Sequence, residues 1–172
     1  MATVIRPYRE PDRAIVRELT VAAFEEVSID SHIDRCLGPI AGRDWRWRKA
    51  RHVDEDIEGP GAEVAVAEDD QGGVTVGYVT MRFDPETRIG WIHNLVVAAG
   101  VRGQGLGRRL IEHAVEYFRA AGMTVAKIET LEQNAIGRHL YPALGFIEVA
   151  RQIHYARPLT DRPAHEPGPD LR

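Results

Sequence analysis

Cysteine is almost missing from this chain. Its single copy among 172 residues, Cys36, cannot close an internal disulfide, which disfavours a stapled extracellular scaffold and favours a reducing compartment. Long apolar runs are missing as well. No stretch approaches the ~20 residues that a membrane-spanning helix needs. The opening MATVIRPYRE lacks the apolar centre of a secretory signal. The expectation is a cytoplasmic protein with no membrane partner. Excess positive charge is also absent: a net charge of −4 gives no overall pull toward nucleic acid. Aromatic residues make up only 7%, yet 44% hydrophobic against 28% charged residues is enough for an ordinary core. At this length one domain is expected, spanning residues 1–159, with the proline-rich, polar 160–172 as a disordered tail.

Periodicity is present. TVIRPY (3–8) reads as a strand, and Pro11 with Asp12 as a helix start leading into Ile15, Val16, Leu19, Ala22 and Ala23 at helical spacing. From 25 to 59 the pattern weakens, and RDWRWRKARHVDEDI resumes as a helix with Asp44 as its N-cap. AEVAVAE (62–68), VTVGYVTMRF (74–83) and IGWIHNLVV (89–97) form a three-strand meander separated by the turns DDQGG and DPETR. Leu106, Leu110, Ile111, Ala114, Val115 and Phe118 define one helix face, ended by Gly122. VAKIETL (125–131) is a strand, NAIGRHLYPALG (134–145) a short helix, and FIEVARQIHYARPL carries one or two final strands. The meander followed by a strand–helix–strand crossover implies an α/β (α+β) domain. Its sheet is mixed, twisted and mostly antiparallel, with six to seven strands and about four flanking helices.

The stretch AGVRGQGLGRRL (99–110) holds four glycines and three arginines at the start of a helix. It does not fit a dinucleotide fingerprint, because Arg108 stands where the third glycine belongs. A P-loop fails too, since Gly107 precedes arginine rather than Lys-Ser/Thr. Two readings remain: a flexible turn with exposed arginines, or an anion site. Glycine lets backbone amides approach a ligand, and free amides at a helix N-terminus favour negative charge. Arginines there oppose the helix dipole by about 0.3–1 kcal/mol each, a cost that an anion relieves.

LVVAAGVRGQGLGRRL resembles the acetyl-CoA motif R/Q-x-x-G-x-G/A of the GNAT family of N-acetyltransferases, filled by Arg102, Gly105 and Gly107. NAIGRHLYPALGF resembles the family segment N-x-x-A-x-x-L-Y-x-x-x-G-F at Asn134, Leu140, Tyr141, Gly145 and Phe146, with Gly137 in place of alanine. The resemblance implies acetyl-CoA as co-substrate, no metal, and direct transfer of the acetyl group to an amine through a tetrahedral intermediate. It implies that backbone amides of Arg102, Gly103, Gln104, Gly105, Leu106 and Gly107 hold the pyrophosphate, with Arg108 or Arg109 reaching a phosphate. Leu95, Val96 and Val97 would line the pantetheine arm, through the backbone of Leu95 and Val97. Asn134 would cap its helix and touch the coenzyme. Tyr141 would protonate the departing thiolate.

The family often places a glutamate on the strand before the loop to accept the amine proton. Here that region reads Trp91-Ile92-His93-Asn94, without a carboxylate. His93 is the candidate base because its unperturbed pKa suits the task. Glu129 and Glu132 are the substitutes. The acceptor is open among a small-molecule amine, a protein N-terminus and a lysine side chain. Trp45 or Trp47 is a candidate wall of its pocket, and Asp30, Asp34, Glu55 or Asp56 a candidate attractor of a cationic amine. Cys36 is expected to be buried and inert. His154 and Tyr155 face either the acceptor or the second subunit of a homodimer. Two other classes remain in view: a non-catalytic acyl-CoA sensor, and an RNA-binding protein acting through residues 43–52.

Overall fold

The structure is a computed structural model that describes residues 2–159; the expected tail at 160–172 lies outside the described residues. The chain runs β1 (Thr3–Pro7), α1 (Arg13–Ala23), α2 (Ile29–Leu37), α3 (Trp45–Glu58), β2 (Glu63–Asp69), β3 (Thr75–Asp84) and β4 (Ile89–Val97). Then follow α4 (Leu106–Ala120), β5 (Val125–Ile128) and α5 (Ala135–Leu140), with a 3-10 turn at Pro142–Leu144. The sheet order is β1-β2-β3-β4-β5. All neighbours are antiparallel except β4 and β5, which the α4 crossover makes parallel.

Polar side chains close the turns of the meander. Asp69 accepts from the amides of Gly72 and Val74 at 2.9 and 3.0 Å, and Asp84 from the amide of Glu86 at 2.9 Å. The two sheet faces then bury separate cores. On one, Leu106, Leu110, Ile111, Ala114 and Phe118 of α4 pack on Ala65, Ala67, Val79, Met81 and Ile92. Gly90 makes this approach possible, because a Cβ there would stand 2.4 Å from the Phe118 ring. On the other face, Val16 of α1 and Val53 of α3 cover Val66, Tyr78 and Val96. The buried Tyr78 hydroxyl is satisfied by the Thr20 hydroxyl at 2.7 Å.

The sheet has five strands among the described residues, not six or seven. Residues 147–157, expected to add the last strands, form no strand or helix and are exposed throughout. Alternating apolar residues signal a strand only where a sheet edge and a core receive them, and these side chains meet neither. Among the described residues five α-helices flank the sheet, the unexpected one being α2. Its apolar residues Ile29, Ile33, Cys36 and Leu37 share one helical face, but none of them is fully buried. Caps and ion pairs hold it instead: Ser28 accepts from the Ser31 amide at 3.0 Å, and Arg48 of α3 binds Asp30 (3.2 Å) and Asp34. Asp34 also accepts from the Trp45 amide at 2.6 Å.

Candidate functional site

The site begins with an irregularity in β4. Asn94 pairs with Thr80, but Ile92 pairs with Met81, so His93 is an extra residue in a β-bulge. The bulge sends Ile92 into the α4 core and Asn94 into a buried polar cluster on the opposite face. Asn94 donates to Thr80 Oγ1 (2.9 Å) and Asp56 Oδ2 (2.7 Å), and accepts from Lys49 Nζ (2.9 Å). Burial pushes the Lys49 ammonium below its ordinary pKa.

Asp56 thereby comes to face β4 from α3. Its Oδ1 lies 3.7 Å from His93 Nδ1 and 3.8 Å from the Arg82 guanidinium. Arg82 is held in turn by the Glu55 carbonyl at 2.7 Å. Burial is the leading cause that pushes His93 below its ordinary pKa. Asp56 and Glu129 oppose the shift, while Arg82 and Lys127 assist it. The ring is therefore neutral at neutral pH and able to accept a proton.

His93 and Glu129 line one cavity of about 480 Å³, with Arg82 and Phe83 of β3, Trp91 of β4 and Lys127 of β5 among its walls. Glu129, just past β5, is ion-paired with Lys127. Glu132 lies farther along and pairs with Arg151 at 2.7 Å. Neither Trp45, which is buried, nor Trp47 lines this cavity. Arg43 stacks 4.1 Å over the Trp47 ring. Asp30 and Asp34 are likewise spent, since they join α2 to α3 through Arg48. Glu55 pairs with Arg51 at 2.9 Å. Of the four carboxylates considered for the acceptor, only Asp56 faces His93. Cys36 is half-buried rather than fully buried.

Beyond Ile92 the sheet splays. The β4–β5 pairing ends at Ile92 with Ile128, and among the described residues β4 continues to Val97 without a neighbour on that side. The Ala98 amide donates to Val76 of the β3 side at 2.8 Å. By strand alternation, Leu95 and Val97 turn their N–H and C=O groups away from β3, into the gap. Val97 O there accepts from Arg102 Nε at 3.1 Å. Val96 instead directs its side chain to the core beneath α1 and its backbone to β3.

The glycine stretch leads from this free edge into α4. Gly103 and Gly105 adopt φ of +76° and +80°, and Gly105 is the N-cap, with no side chain capping the helix. No heavy atom lies within 4 Å of a Cβ built on either glycine, so the approach to the first amides of α4 is open. Gln104 is exposed, whereas the Leu106 side chain is buried in the core. The arginines divide their tasks. Arg109 reaches Thr3, donating to Oγ1 at 2.5 Å and to the carbonyl at 2.6 Å, and so ties α4 to β1. Arg108 is half-exposed, 3.8 Å from Glu112.

The segment with α5 closes the site from a third side. A Cβ on Gly107 would stand 3.4 Å from Leu140 and 3.8 Å from Val97, so loop, strand edge and α5 meet there. Asn134 caps α5 by accepting from the Gly137 amide at 3.2 Å, and donates to Thr130 Oγ1 at 2.8 Å. A Cβ on Gly137 would come within 3.0–3.1 Å of Thr130, Asn134 and the Tyr141 ring. Glycine here in place of alanine lets that ring lie close to Thr130. Burial pushes the Tyr141 phenol above its ordinary pKa, and its ring tilts against Phe146 at 6.3 Å. Thr130 follows Glu129 in the chain, so the tyrosine and the cavity are linked through two adjacent residues.

The comparisons agree with this architecture. The model of the acetyltransferase (GNAT) family matches residues 18–146, and the chain belongs to that family. It is 27% identical over 96 residues to N-alpha-acetyltransferase 30 of Saccharomyces cerevisiae, covering 52% of this chain and 54% of that protein. It is 33% identical over 90 residues to the mycothiol acetyltransferase of Beutenbergia cavernae, covering 52% of this chain and 30% of the other. The match thus spans about half the length of one curated relative and less than a third of the other. A solved aminoglycoside N-acetyltransferase in complex with coenzyme A shares the fold, with a TM-score of 0.64 at 17% identity over 91% of this chain and 95% of that one. No helix among the described residues is long and apolar enough to cross a membrane. No group of three or more potential metal ligands occurs among them.

Proposed function

We propose that residues 1–159 form one acetyl-CoA-dependent N-acetyltransferase domain. The observation that carries this reading is the junction of the free β4 edge, the uncapped N-terminus of α4 and the end of α5 around Val97, Gly107 and Leu140. The donor set fits the coenzyme chemically. Amides from Gly103 to Gly107 suit a pyrophosphate, the Arg102 amide being taken by the Ala99 carbonyl at 3.3 Å, and Arg108 remains available for a further phosphate. Outward backbone groups of Leu95 and Val97 suit the amide-bearing pantetheine arm as an added strand would. In this reading Asn134, the cap of α5, also contacts the coenzyme.

When bound, the coenzyme supplies an acetyl thioester whose carbon is attacked by the acceptor amine. In this reading Nε2 or Nδ1 of neutral His93 takes the amine proton as the C–N bond forms. Asp56 acts as a positioning residue that orients the ring and favours the imidazolium. Tyr141, kept protonated by burial, gives its proton to sulfur as the C–S bond breaks. Glu129 on the cavity wall is the second candidate base, directly or through water. A small-molecule amine, a protein N-terminus and a lysine all remain acceptors of the right chemistry.

Free-thiol release with acetyl-CoA and an amine panel tests the proposal. Turnover with at least one amine, lost on His93→Gln with coenzyme binding retained, is the expected result. Coenzyme binding without turnover across all three acceptor classes would favour the acyl-CoA sensor instead.

A further inference from the structure

Tyr141 serves as an acid only if its own O–H is free to point at the sulfur and the phenolate left behind is stabilised. Burial works against the second condition, because it pushes the phenol pKa up. The Thr130 side chain opposes burial, since a hydrogen bond from it favours the phenolate. Thr130 lies beyond the end of β5 and is exposed, so neither strand pairing nor core packing accounts for a threonine there.

The surrounding hydrogen bonds fix the direction of that contact. The Gly137 amide donates to Asn134 Oδ1 at 3.2 Å, which turns Asn134 Nδ2 toward Thr130. Nδ2 then donates to Thr130 Oγ1 at 2.8 Å. An amide nitrogen has no lone pair to offer, so Thr130 cannot give its own proton back to Asn134. A hydroxyl carries one proton and accepts through two lone pairs. With Asn134 on one lone pair, the Thr130 proton is left for the phenol oxygen. Donation there occupies a lone pair of Tyr141 Oη and leaves the tyrosine's O–H for another acceptor.

The departure at position 137 has the same origin. The family segment carries alanine there, and glycine inside a helix is the less stable choice. A Cβ at 137 would stand 3.0 Å from Thr130 Oγ1 and 3.1 Å from both Asn134 Nδ2 and Tyr141 Cε2. It would crowd all three groups at once.

We propose that Thr130 is a positioning residue of the transfer reaction: it accepts from Asn134 and donates to Tyr141 Oη, so that the phenol proton points to the departing sulfur, and Gly137 gives this relay its room. The role rests on the acetyltransferase reading above, with Tyr141 as the acid. As the C–S bond breaks, the Tyr141 proton passes to sulfur. The phenolate keeps the Thr130 donor until solvent returns a proton.

Thr130→Val, Thr130→Ser and Tyr141→Phe test this on the full chain. Valine keeps the shape and removes the hydroxyl, serine keeps the hydroxyl, and circular dichroism checks that each variant is folded. NMR of tyrosine labelled at Cζ, assigned with Tyr141→Phe, follows the phenol without any turnover. In Thr130→Val the Tyr141 pKa is expected to rise. Its kcat is expected to fall about 2- to 10-fold, the size expected for losing one neutral hydrogen bond, at an unchanged KM for acetyl-CoA. Thr130→Ser restores both. In a Tyr141→Phe background, Thr130→Val costs no further turnover. An unmoved phenol titration in Thr130→Val overturns the inference, as do losses that multiply in the double variant or a serine variant that behaves like valine. Wild-type kcat in Tyr141→Phe overturns the acid reading and the role with it, and the titration then tells whether the contact itself stands.

Discussion

Asp56 Oδ1, on α3, stands 3.7 Å from Nδ1 of His93 in the β4 bulge. The two come from elements far apart in the chain, and Asn94 fixes the carboxylate through its second oxygen at 2.7 Å. This places a carboxylate behind an imidazole on a strand that itself offers no acidic side chain.

The pairing fixes a pH dependence. His93 is pushed below its ordinary value of 6.5, so a base on this ring is already deprotonated at neutral pH. Activity is expected to be level there and to fall in acid below the usual histidine range. Asp56 favours the imidazolium, so Asp56→Asn lowers the His93 pKa further and moves the acid limb to lower pH. Turnover drops as well, because the ring loses its orienting partner. A kcat/KM profile, with NMR titration of the ring, reads both effects. An unmoved His93 titration in the variant would show that the two groups are not coupled.

Tyr141→Phe is expected to lower kcat by about 10²-fold while coenzyme affinity holds. That is the low end of general-acid effects, because a thiolate with a conjugate pKa of about 8.5 leaves tolerably unaided. Equal losses in turnover and affinity would make Tyr141 a binding residue.

Gly137→Ala places a methyl within 3.0–3.1 Å of Thr130, Asn134 and Tyr141. The cost is expected at about 1–3 kcal/mol, as for an overpacked site. If Tyr141 is the acid, kcat falls further than stability alone explains. Thermal melting and kinetics on the same preparation separate the two contributions. An unchanged kcat would detach the position of Tyr141 from catalysis.

Arg48→Ala leaves Asp30 and Asp34, both largely buried, without their cation. A loss of about 2 kcal/mol is expected, below the ~3–5 kcal/mol of a fully buried broken pair because both carboxylates retain some exposure. That corresponds to a fall of several degrees in Tm. Coenzyme affinity should not change, since α2 lies outside the glycine junction.

Much of the fold was legible because local pattern and tertiary packing agree. The β4 limits, the α4 face and the Asp44 cap of α3 follow from side-chain period and capping chemistry. The helix α2 carried signals that the breakers Gly38, Pro39 and Gly42 obscured: Ile29, Ile33, Cys36 and Leu37 recur at helical spacing, with Ser28 as N-cap and Asp30 as a first-turn acid. What the local pattern does not reveal is its tie to Arg48 on another helix. The segment at 147–157 misled in the opposite direction: its alternation is that of a strand, but no edge of its own sheet receives it. At the site, the glycine stretch and the α5 segment were readable from their motifs. Asp56 was named only as a charge for the acceptor, since nothing in the spacing of α3 reveals which turn meets a bulge on β4. The division of labour between Arg108 and Arg109 was equally hidden, as it depends on where β1 ends.

Titration calorimetry with acetyl-CoA on wild type and Gly105→Glu tests the proposed coenzyme seat. Gly105 has φ +80°, so the substitution strains the backbone by about 1–2 kcal/mol and sets a carboxylate at the proposed pyrophosphate seat. Saturable one-to-one binding to the wild type is expected. At 100-fold excess over Kd this adds about 2.7 kcal/mol of stability, and no binding is predicted to a variant that still melts cooperatively. Equal binding by both proteins, or none by a cooperatively folded wild type, would contradict it.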